Sequence, residues 1–255
     1  MDRAIWPAAG GTLAAIIVTT TMDATGYSMF SALPLFPLAA FFWYLQKLTR
    51  VEIGLVIGGG RNYAWALAYP LFVLGLMAVI AWLMGATDVS ATDWNKTFTN
   101  IGLMGSTGIL MVLITEEGFF RGWLWASLKR AGRSDVYVLV WTTLAFAAWH
   151  ISAISLDTGF DIPPDEIPIY LVNATLIGGI WGALRMVSGS VVVPAVCHAV
   201  WNGLAYELYG FGEKVGALGI QETHIYGPEV GVVGVALNAG FAVIVWRLYI
   251  SRATS

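Results

Sequence analysis

Six polar side chains interrupt the apolar stretches of this sequence, and their types could together carry out proton transfer. They lie in three separate stretches and are Glu116, Glu117, Arg121, His150, His198 and Asn202. An ionisable side chain at the centre of a membrane helix costs about 2.5–3.5 kcal/mol on insertion scales, and it persists mainly where it serves a cavity, a relay or a site. The set therefore marks a candidate functional site.

The first stretch contains two adjacent glutamates with different predicted roles. Glu117 and Arg121 are four residues apart and so share one helix face, which predicts a structural ion pair. Glu116 points about a third of a turn away and keeps its charge for another purpose. Because a carboxylate in a low-dielectric site can act as a general base near neutral pH, Glu116 is the predicted base.

The two histidines and the asparagine supply the remaining parts of a water-activating site. His150 could hold a water molecule or share its proton with Glu116, and Phe146 lies one helical turn before His150. His198 and Asn202 are four residues apart and project together, so both could donate hydrogen bonds to a developing oxyanion. The chemistry that these residue types allow is water activation and amide hydrolysis.

The composition indicates what kind of protein must position these residues. Apolar residues make up 58% of the 255 residues and charged residues only 11%, against about 45–50% and about 25% in a typical globular chain. This predicts an all-α, polytopic membrane protein whose outer surface faces the lipid bilayer. The chain has no basic tract that would suit nucleic acid, and its single cysteine, Cys197, rules out an intrachain disulfide.

Eight apolar segments are candidates for membrane spans, each of which needs about 20 residues. They run from about Trp6 to Thr21, Met29 to Gln46, Tyr63 to Met84, Thr99 to Leu128, Tyr137 to Ala153, Ile169 to Val187, Val191 to Tyr209 and Val230 to Ile250. We predict a single integral membrane domain over residues 1–255, with the catalytic core helices in residues 98–210.

The basic residues predict the orientation, because they gather on the cytoplasmic side of membrane proteins. With eight spans, one side receives Arg3, Lys47, Arg50, Arg61, Lys129, Arg130, Arg133, Arg185, Arg247 and Arg252. The other side receives only Lys96 and Lys214, and one of its loops carries Asp157, Asp161, Asp165 and Glu166. Both termini are therefore expected in the cytoplasm, and short loops without a targeting signal favour a prokaryotic plasma membrane.

This topology brings the three polar stretches to overlapping depths. At about 1.5 Å per residue, Glu116 and His150 each lie ~20 Å from the cytoplasmic ends of their helices, and His198 lies ~12 Å from the same side. Polar residues scattered without a shared purpose would have no reason to meet at one level.

Three short motifs give the chain a resemblance to a known family. Residues Glu116–Arg121 match the pattern E-E-x-x-x-R, Phe146–His150 match F-x-x-x-H, and His198–Asn202 match H-x-x-x-N. In this order, each within a predicted span, they resemble the CAAX protease and bacteriocin-processing family of intramembrane endopeptidases, which includes the type II CAAX prenyl endopeptidases. The resemblance covers about Leu113–Asn202.

The resemblance implies a glutamate-dependent endopeptidase without a cofactor. It assigns water activation to Glu116 and His150 and the oxyanion site to His198 and Asn202. The expected partner is a membrane-anchored peptide or protein, either prenylated or carrying a leader peptide, and we expect it to be cleaved from the cytoplasmic side. The sequence does not identify the substrate further.

Several alternatives remain open from the residues alone. The glutamates could form a purely structural ion-pair cluster, the histidines could be hydrogen-bonded core residues, and Asn202 could join two helices. Two glutamates and two histidines are also plausible zinc ligands, although the H-E-x-x-H pattern is absent. Rival functions are a proton-coupled transporter, which uses the same residue types, and a non-catalytic relative that binds a partner protein or confers immunity.

Overall fold

The structure is a computed structural model that describes residues 5–160, 162–212 and 214–247 as a bundle of helices. The helices are α1 (Trp6–Ala24), α2 (Leu35–Gln46), α3 (Arg50–Ile53), α4 (Gly60–Leu83), α5 (Trp94–Ile114), α6 (Trp125–Arg130), α7 (Asp135–Trp149), α8 (Ile151–Ser155), α9 (Ile167–Ser188), α10 (Val192–Leu208), α11 (Thr223–Tyr226) and α12 (Val232–Val245). A 3-10 turn (Ser28–Phe30) precedes α2, and a π-helical segment (Gly118–Leu124) joins α5 to α6.

One short hairpin departs from the helical architecture. Strands β1 (Gly210–Phe211) and β2 (Lys214–Val215) pair antiparallel, with Gly210 opposite Val215. The hairpin follows α10 directly, within the connection that leads to α12. The prediction of an all-helical membrane bundle is confirmed apart from this four-residue ribbon.

The predicted count of eight spans is not confirmed. Each predicted span coincides with helical structure where it is described, and the last three residues of the eighth span lie outside the described residues. In the described residues only five segments are long and apolar enough to cross a membrane: Ser28–Gln46, Gly60–Leu83, Trp94–Arg130, Asp135–Ser155 and Ile167–Ser188. Of the other three helices, α1 is less apolar, and α10 and α12 have only 17 and 14 residues. Arg3, Asp161 and Arg252, which contributed to the charge pattern, lie outside the described residues.

The fourth predicted helix is not a regular α-helix where it carries the two glutamates. Helix α5 ends at Ile114, and Thr115 has φ −98° and ψ −98°. The chain then widens into the π-helical segment, which begins directly after Glu117. Gly118 makes this possible, because a Cβ there would lie 2.4 Å from the carbonyl oxygen of Leu113. Short π-helical segments of this kind are often found at functional sites.

The packing of α10 determines where the site can form. Helix α10 packs against α5, α4 and α9, and α7 packs against α9 and the π-helical segment. The largest apolar cluster draws buried side chains from both ends of the chain, including Ala15, Trp123, Trp201 and Phe241. The three motif-bearing segments therefore meet inside one bundle. The single domain over residues 1–255 stays a prediction.

Candidate active site

The Glu117–Arg121 pair lies at the base of the site and is completely buried. Nη1 of Arg121 donates to Oε1 of Glu117 at 3.2 Å, and both side chains are 0% exposed. Nη2 of Arg121 donates to the carbonyl oxygen of Gly178 at 2.9 Å, and the guanidinium lies 4.3 Å from the centre of the Phe146 ring. The pair expected from the four-residue spacing thus forms, and it ties the π-helical segment to α9 and α7.

His198 lies between the two glutamates. Its Nδ1 is 3.0 Å from Oε1 of Glu117, and its Nε2 is 3.8 Å from Oε2 of Glu116. The imidazole stacks on Trp181 with the ring centres 3.8 Å apart and the planes 19° apart. Because a carboxylate only accepts hydrogen bonds, Nδ1 of His198 is the donor to Glu117. The ring is therefore more closely engaged with the carboxylates than the sequence predicted.

Glu116 faces a cavity that is large enough for several water molecules. Its side chain is 16% exposed, whereas its neighbour Glu117 is sealed in the protein. The cavity has a volume of about 120 Å³, and a single water needs roughly 10–15 Å³ of such space. Its polar lining consists of Glu116, His150, His198, Asn202, Tyr170, Tyr206, Glu229, Thr19 and Ser31.

His150 reaches this cavity from the junction between α7 and α8. Its Nδ1 donates to the carbonyl oxygen of Phe146 at 2.8 Å, which leaves Nε2 of the neutral ring as an acceptor. The Phe146 and Trp149 rings lie 4.5 and 4.7 Å from the imidazole, centre to centre. This arrangement suits a histidine that accepts a hydrogen bond from water.

Two contacts from α1 fix the helix on either side of His150. Nε1 of Trp149 donates to Oγ1 of Thr19 at 2.8 Å, and Oγ of Ser152 donates to Oδ2 of Asp23 at 2.7 Å. Thr19 and Asp23 are both buried. The sequence motifs did not reveal either contact, because α1 carries no pattern that points to α7.

Asn202 lies one helical turn beyond His198 and lines the same cavity. The structure therefore brings Glu116, His150, His198 and Asn202 together around one space, while Glu117 and Arg121 lie behind it. The catalytic roles of these residues stay predictions.

Glu229 is the acidic residue of the cavity that the sequence motifs missed. Its Oε1 accepts a hydrogen bond from Nε1 of Trp201 at 3.0 Å, and Trp201 lies within the His198–Asn202 motif. Burial raises the pKa of the Glu229 carboxyl, and the nearby Glu116 acts in the same direction. Its position directly before the apolar α12 was the only available signal, because it belongs to no motif.

The side chains of the site do not form a metal-binding cluster. Within the described ranges, no group of three or more His, Cys, Asp or Glu residues is placed to hold a metal ion. The interaction of Glu117 with Arg121 and His198 uses one of the carboxylates that zinc would need. A chelation experiment addresses the zinc alternative directly.

Comparison with known families agrees with the motifs. Residues 98–204 match the family model described as type II CAAX prenyl endopeptidase Rce1-like. No curated protein and no solved structure matches the chain. The matched segment contains Glu116, His150, His198 and Asn202 together with the Glu117–Arg121 pair, so the resemblance expected from the three motifs is confirmed. Residues 98–204 are thus similar to the Rce1-like family of type II CAAX prenyl endopeptidases.

Proposed function

We propose that this integral membrane protein is a glutamate-dependent endopeptidase that hydrolyses a peptide bond of a membrane-anchored substrate. The similarity of residues 98–204 to the Rce1-like family supports a protease, and the apolar helices support an action within the bilayer. The single observation that carries the proposal is the cavity in which Glu116 meets His150 and His198. It provides a carboxylate, an imidazole acceptor and space for water beside one another.

In the proposed reaction, Glu116 removes a proton from water as the oxygen attacks the carbonyl carbon of the scissile bond. His150 accepts a hydrogen bond from the same water through Nε2, since its Nδ1 is bound to the Phe146 carbonyl. The carbonyl oxygen becomes an oxyanion, which accepts a hydrogen bond from the Asn202 amide. When the intermediate collapses, Glu116 returns its proton to the leaving amine nitrogen.

The contact with Glu117 restricts how His198 can assist. Because Nδ1 donates to Glu117, the ring can donate from Nε2 only when both nitrogens carry protons. We infer that His198 stabilises the oxyanion as an imidazolium, with the Glu117 carboxylate compensating its charge. Arg121 keeps Glu117 in place for this purpose.

The central test replaces the proposed base without changing its shape. Purified protein in lipid nanodiscs is incubated with a library of acyl-anchored synthetic peptides, and cleavage is followed by mass spectrometry. We expect Glu116→Gln to lower the rate about 10²–10⁴-fold, as removal of a general base does. Glu222→Gln is the matched control, because Glu222 is exposed and lies outside the cavity. Turnover by Glu116→Gln at the unaltered rate would disprove the mechanism.

The same assay separates the remaining alternatives. Proton-dependent solute flux in liposomes, without peptide cleavage, would favour the transporter. Binding of a peptide without cleavage would favour a non-catalytic relative. We expect chelators to leave the cleavage rate unchanged, whereas inactivation by a chelator and rescue by zinc would support the metal alternative. The prokaryotic plasma membrane and the cytoplasmic termini stay predictions.

A further inference from the structure

A second cavity adjoins the catalytic one and gives the site an extended shape. It has a volume of about 310 Å³ and shares two lining residues, Tyr206 and Glu229, with the catalytic cavity. Its walls come from residues within 160, 162–166, 206–212 and 214–230. The two cavities therefore meet at Tyr206 and Glu229, and the volume of the second falls within the ~300–1,000 Å³ range of ligand pockets.

Glu229 is held rigidly at the boundary between the two cavities. The Trp201 indole donates to its Oε1 at 3.0 Å, and Nδ2 of Asn173 donates to its main-chain oxygen at 3.0 Å. Behind it, Trp201 stacks on Tyr69, with the ring centres 5.1 Å apart and the planes 14° apart. Both the backbone and the carboxylate of Glu229 are thus fixed before any ligand binds.

This fixed carboxylate has no ion-pair partner in the part of the chain that the structure describes, although His198 lines the adjoining cavity. Among the residues that the structure describes, no Lys, Arg or His nitrogen forms an ion pair with Glu229 within 4.0 Å. Lys214 also lines the second cavity, but its Nζ is bound to Glu207 at 2.9 Å. Glu166 adds a further carboxylate to the lining. Because an uncompensated carboxylate in a largely buried position is costly, a cation from outside the chain would stabilise this arrangement.

We propose that the second cavity binds the polypeptide on one side of the scissile bond and that Glu229 selects an arginine or lysine side chain there. The inference rests on the proposed peptidase function and goes beyond it by naming the substrate class. A long basic side chain suits both the apolar walls of the second cavity and the carboxylate at its boundary. Its aliphatic part packs along apolar walls such as Val230 and Phe211, and its charged end reaches the carboxylate.

The test compares arginine with citrulline, which has the same shape without the charge. Starting from a peptide that the enzyme cleaves, each of the three positions on either side of the scissile bond is occupied in turn by arginine or citrulline. We expect one position at which arginine raises kcat/KM at least about tenfold, mainly through a lower KM, since charge-assisted pairing strengthens binding. Equal rates for arginine and citrulline at all positions would overturn the inference, and this comparison needs no altered protein.

Two variants assign the preference to Glu229. Glu229→Gln should reduce the arginine-to-citrulline ratio to about one, whereas Glu222→Gln in the same segment should preserve it. Thermal unfolding of each variant shows whether it is folded. If Glu116→Gln is inactive but Glu229→Gln keeps the full preference, the peptidase stands and the Glu229 site is wrong. If Glu116→Gln is active, the mechanism itself fails.

The position of the second cavity also bears on the side from which the peptide arrives. Its walls belong to loops that the charge pattern places on the side of the membrane opposite the side with most basic residues. A peptide entering there would arrive from the non-cytoplasmic side, whereas the sequence analysis expected an approach from the cytoplasm. Val215 lines the cavity and is 51% exposed, and the native Cys197 is buried. A membrane-impermeant thiol reagent applied to intact cells should label Val215→Cys but not Arg133→Cys on the basic face. Labelling of Arg133→Cys but not of Val215→Cys would overturn the proposal that the peptide enters from the non-cytoplasmic side.

Discussion

The family-matched segment and the flanking segments contribute to the site in different ways. Residues 98–204 supply the motif side chains that line the cavity around Glu116. The helices before residue 98 supply none of the motif residues. Even so, Thr19 and Asp23 accept hydrogen bonds from side chains on both sides of His150. The motif residues are therefore concentrated in one segment, while their positions depend on contacts from elsewhere in the chain.

Further contacts from the flanks support the helix that follows the glutamate pair. Nε1 of Trp123 donates to Oε1 of Gln46 at 2.8 Å. Nη2 of Arg185 donates to the carbonyl oxygen of Glu52 at 3.0 Å, while its Nε donates to that of Arg121 at 2.8 Å. The region around α2 and α3 thus holds the π-helical segment against α9. Substitutions in the matched segment should mainly disturb the compensation of its buried charges. Substitutions in the flanks should mainly shift the positions of the motif side chains.

The largest loss of stability should come from breaking the buried pair in the matched segment. Glu117→Ala leaves the Arg121 guanidinium and Nδ1 of His198 without their carboxylate. Removing one partner of a buried pair typically destabilises by about 3–5 kcal/mol. We expect a loss of this size in reversible unfolding in mixed micelles, together with loss of cleavage.

An exposed ion pair provides the control for Glu117→Ala. Lys129 and Asp135 are 2.8 Å apart, with side chains 41% and 58% exposed. Lys129→Ala should cost only about 0–1 kcal/mol, because water compensates exposed charges. Equal losses in the free energy of unfolding for Glu117→Ala and Lys129→Ala would show that the buried pair contributes no more than an exposed one.

An intermediate effect is expected where α9 passes the guanidinium. A Cβ at Gly178 would lie 3.1 Å from Nη2 of Arg121 and 3.1 Å from Cδ1 of Phe146. Gly178→Ala should therefore cost about 1–3 kcal/mol through overpacking and should lower the cleavage rate by displacing Arg121. At the adjacent Gly179 a Cβ meets nothing within 4 Å, so Gly179→Ala should be tolerated. Tolerance of both substitutions would mean that α9 can move away freely.

The sequence predicted the matched segment far better than its surroundings. The four-residue spacing predicted that Glu117 and Arg121 pair on one helix face, and the length of the apolar segments located the helices, because both signals are local. The break at Thr115 and the π-helical turns after Glu117 were missed, since they depend on how Gly118 and Leu113 approach each other in the folded chain. Local patterns predict which face a side chain occupies but not how a helix is distorted.

Long-range contacts explain the other omissions. The hydrogen bond between Trp149 and Thr19 joins residues 130 positions apart, and Glu229 reaches the cavity only because the connection after α10 folds back towards it. Neither Thr19 nor Glu229 belongs to a motif or a periodic pattern. The predicted count of eight spans is also not confirmed, because α1 is less apolar than the five long segments and α10 and α12 are short. A single sequence carries no direct record of which distant segments touch.

A loss of stability similar to that of Gly178→Ala, but with a distinct effect on catalysis, is expected from the flank. Thr19→Val keeps the side-chain shape but removes the acceptor for Trp149 and the donor to the Ser31 carbonyl. Each lost hydrogen bond should cost about 1 kcal/mol, while a shift of His150 by a fraction of an ångström should lower kcat up to about a hundredfold. The exposed Thr20 provides the control as Thr20→Val. Because Thr19 holds Trp149 and thereby the neighbouring His150 in place, the rate should fall well beyond what the change in unfolding predicts, with KM little changed. A proportionate loss of stability and rate would instead make α1 a structural support without influence on alignment.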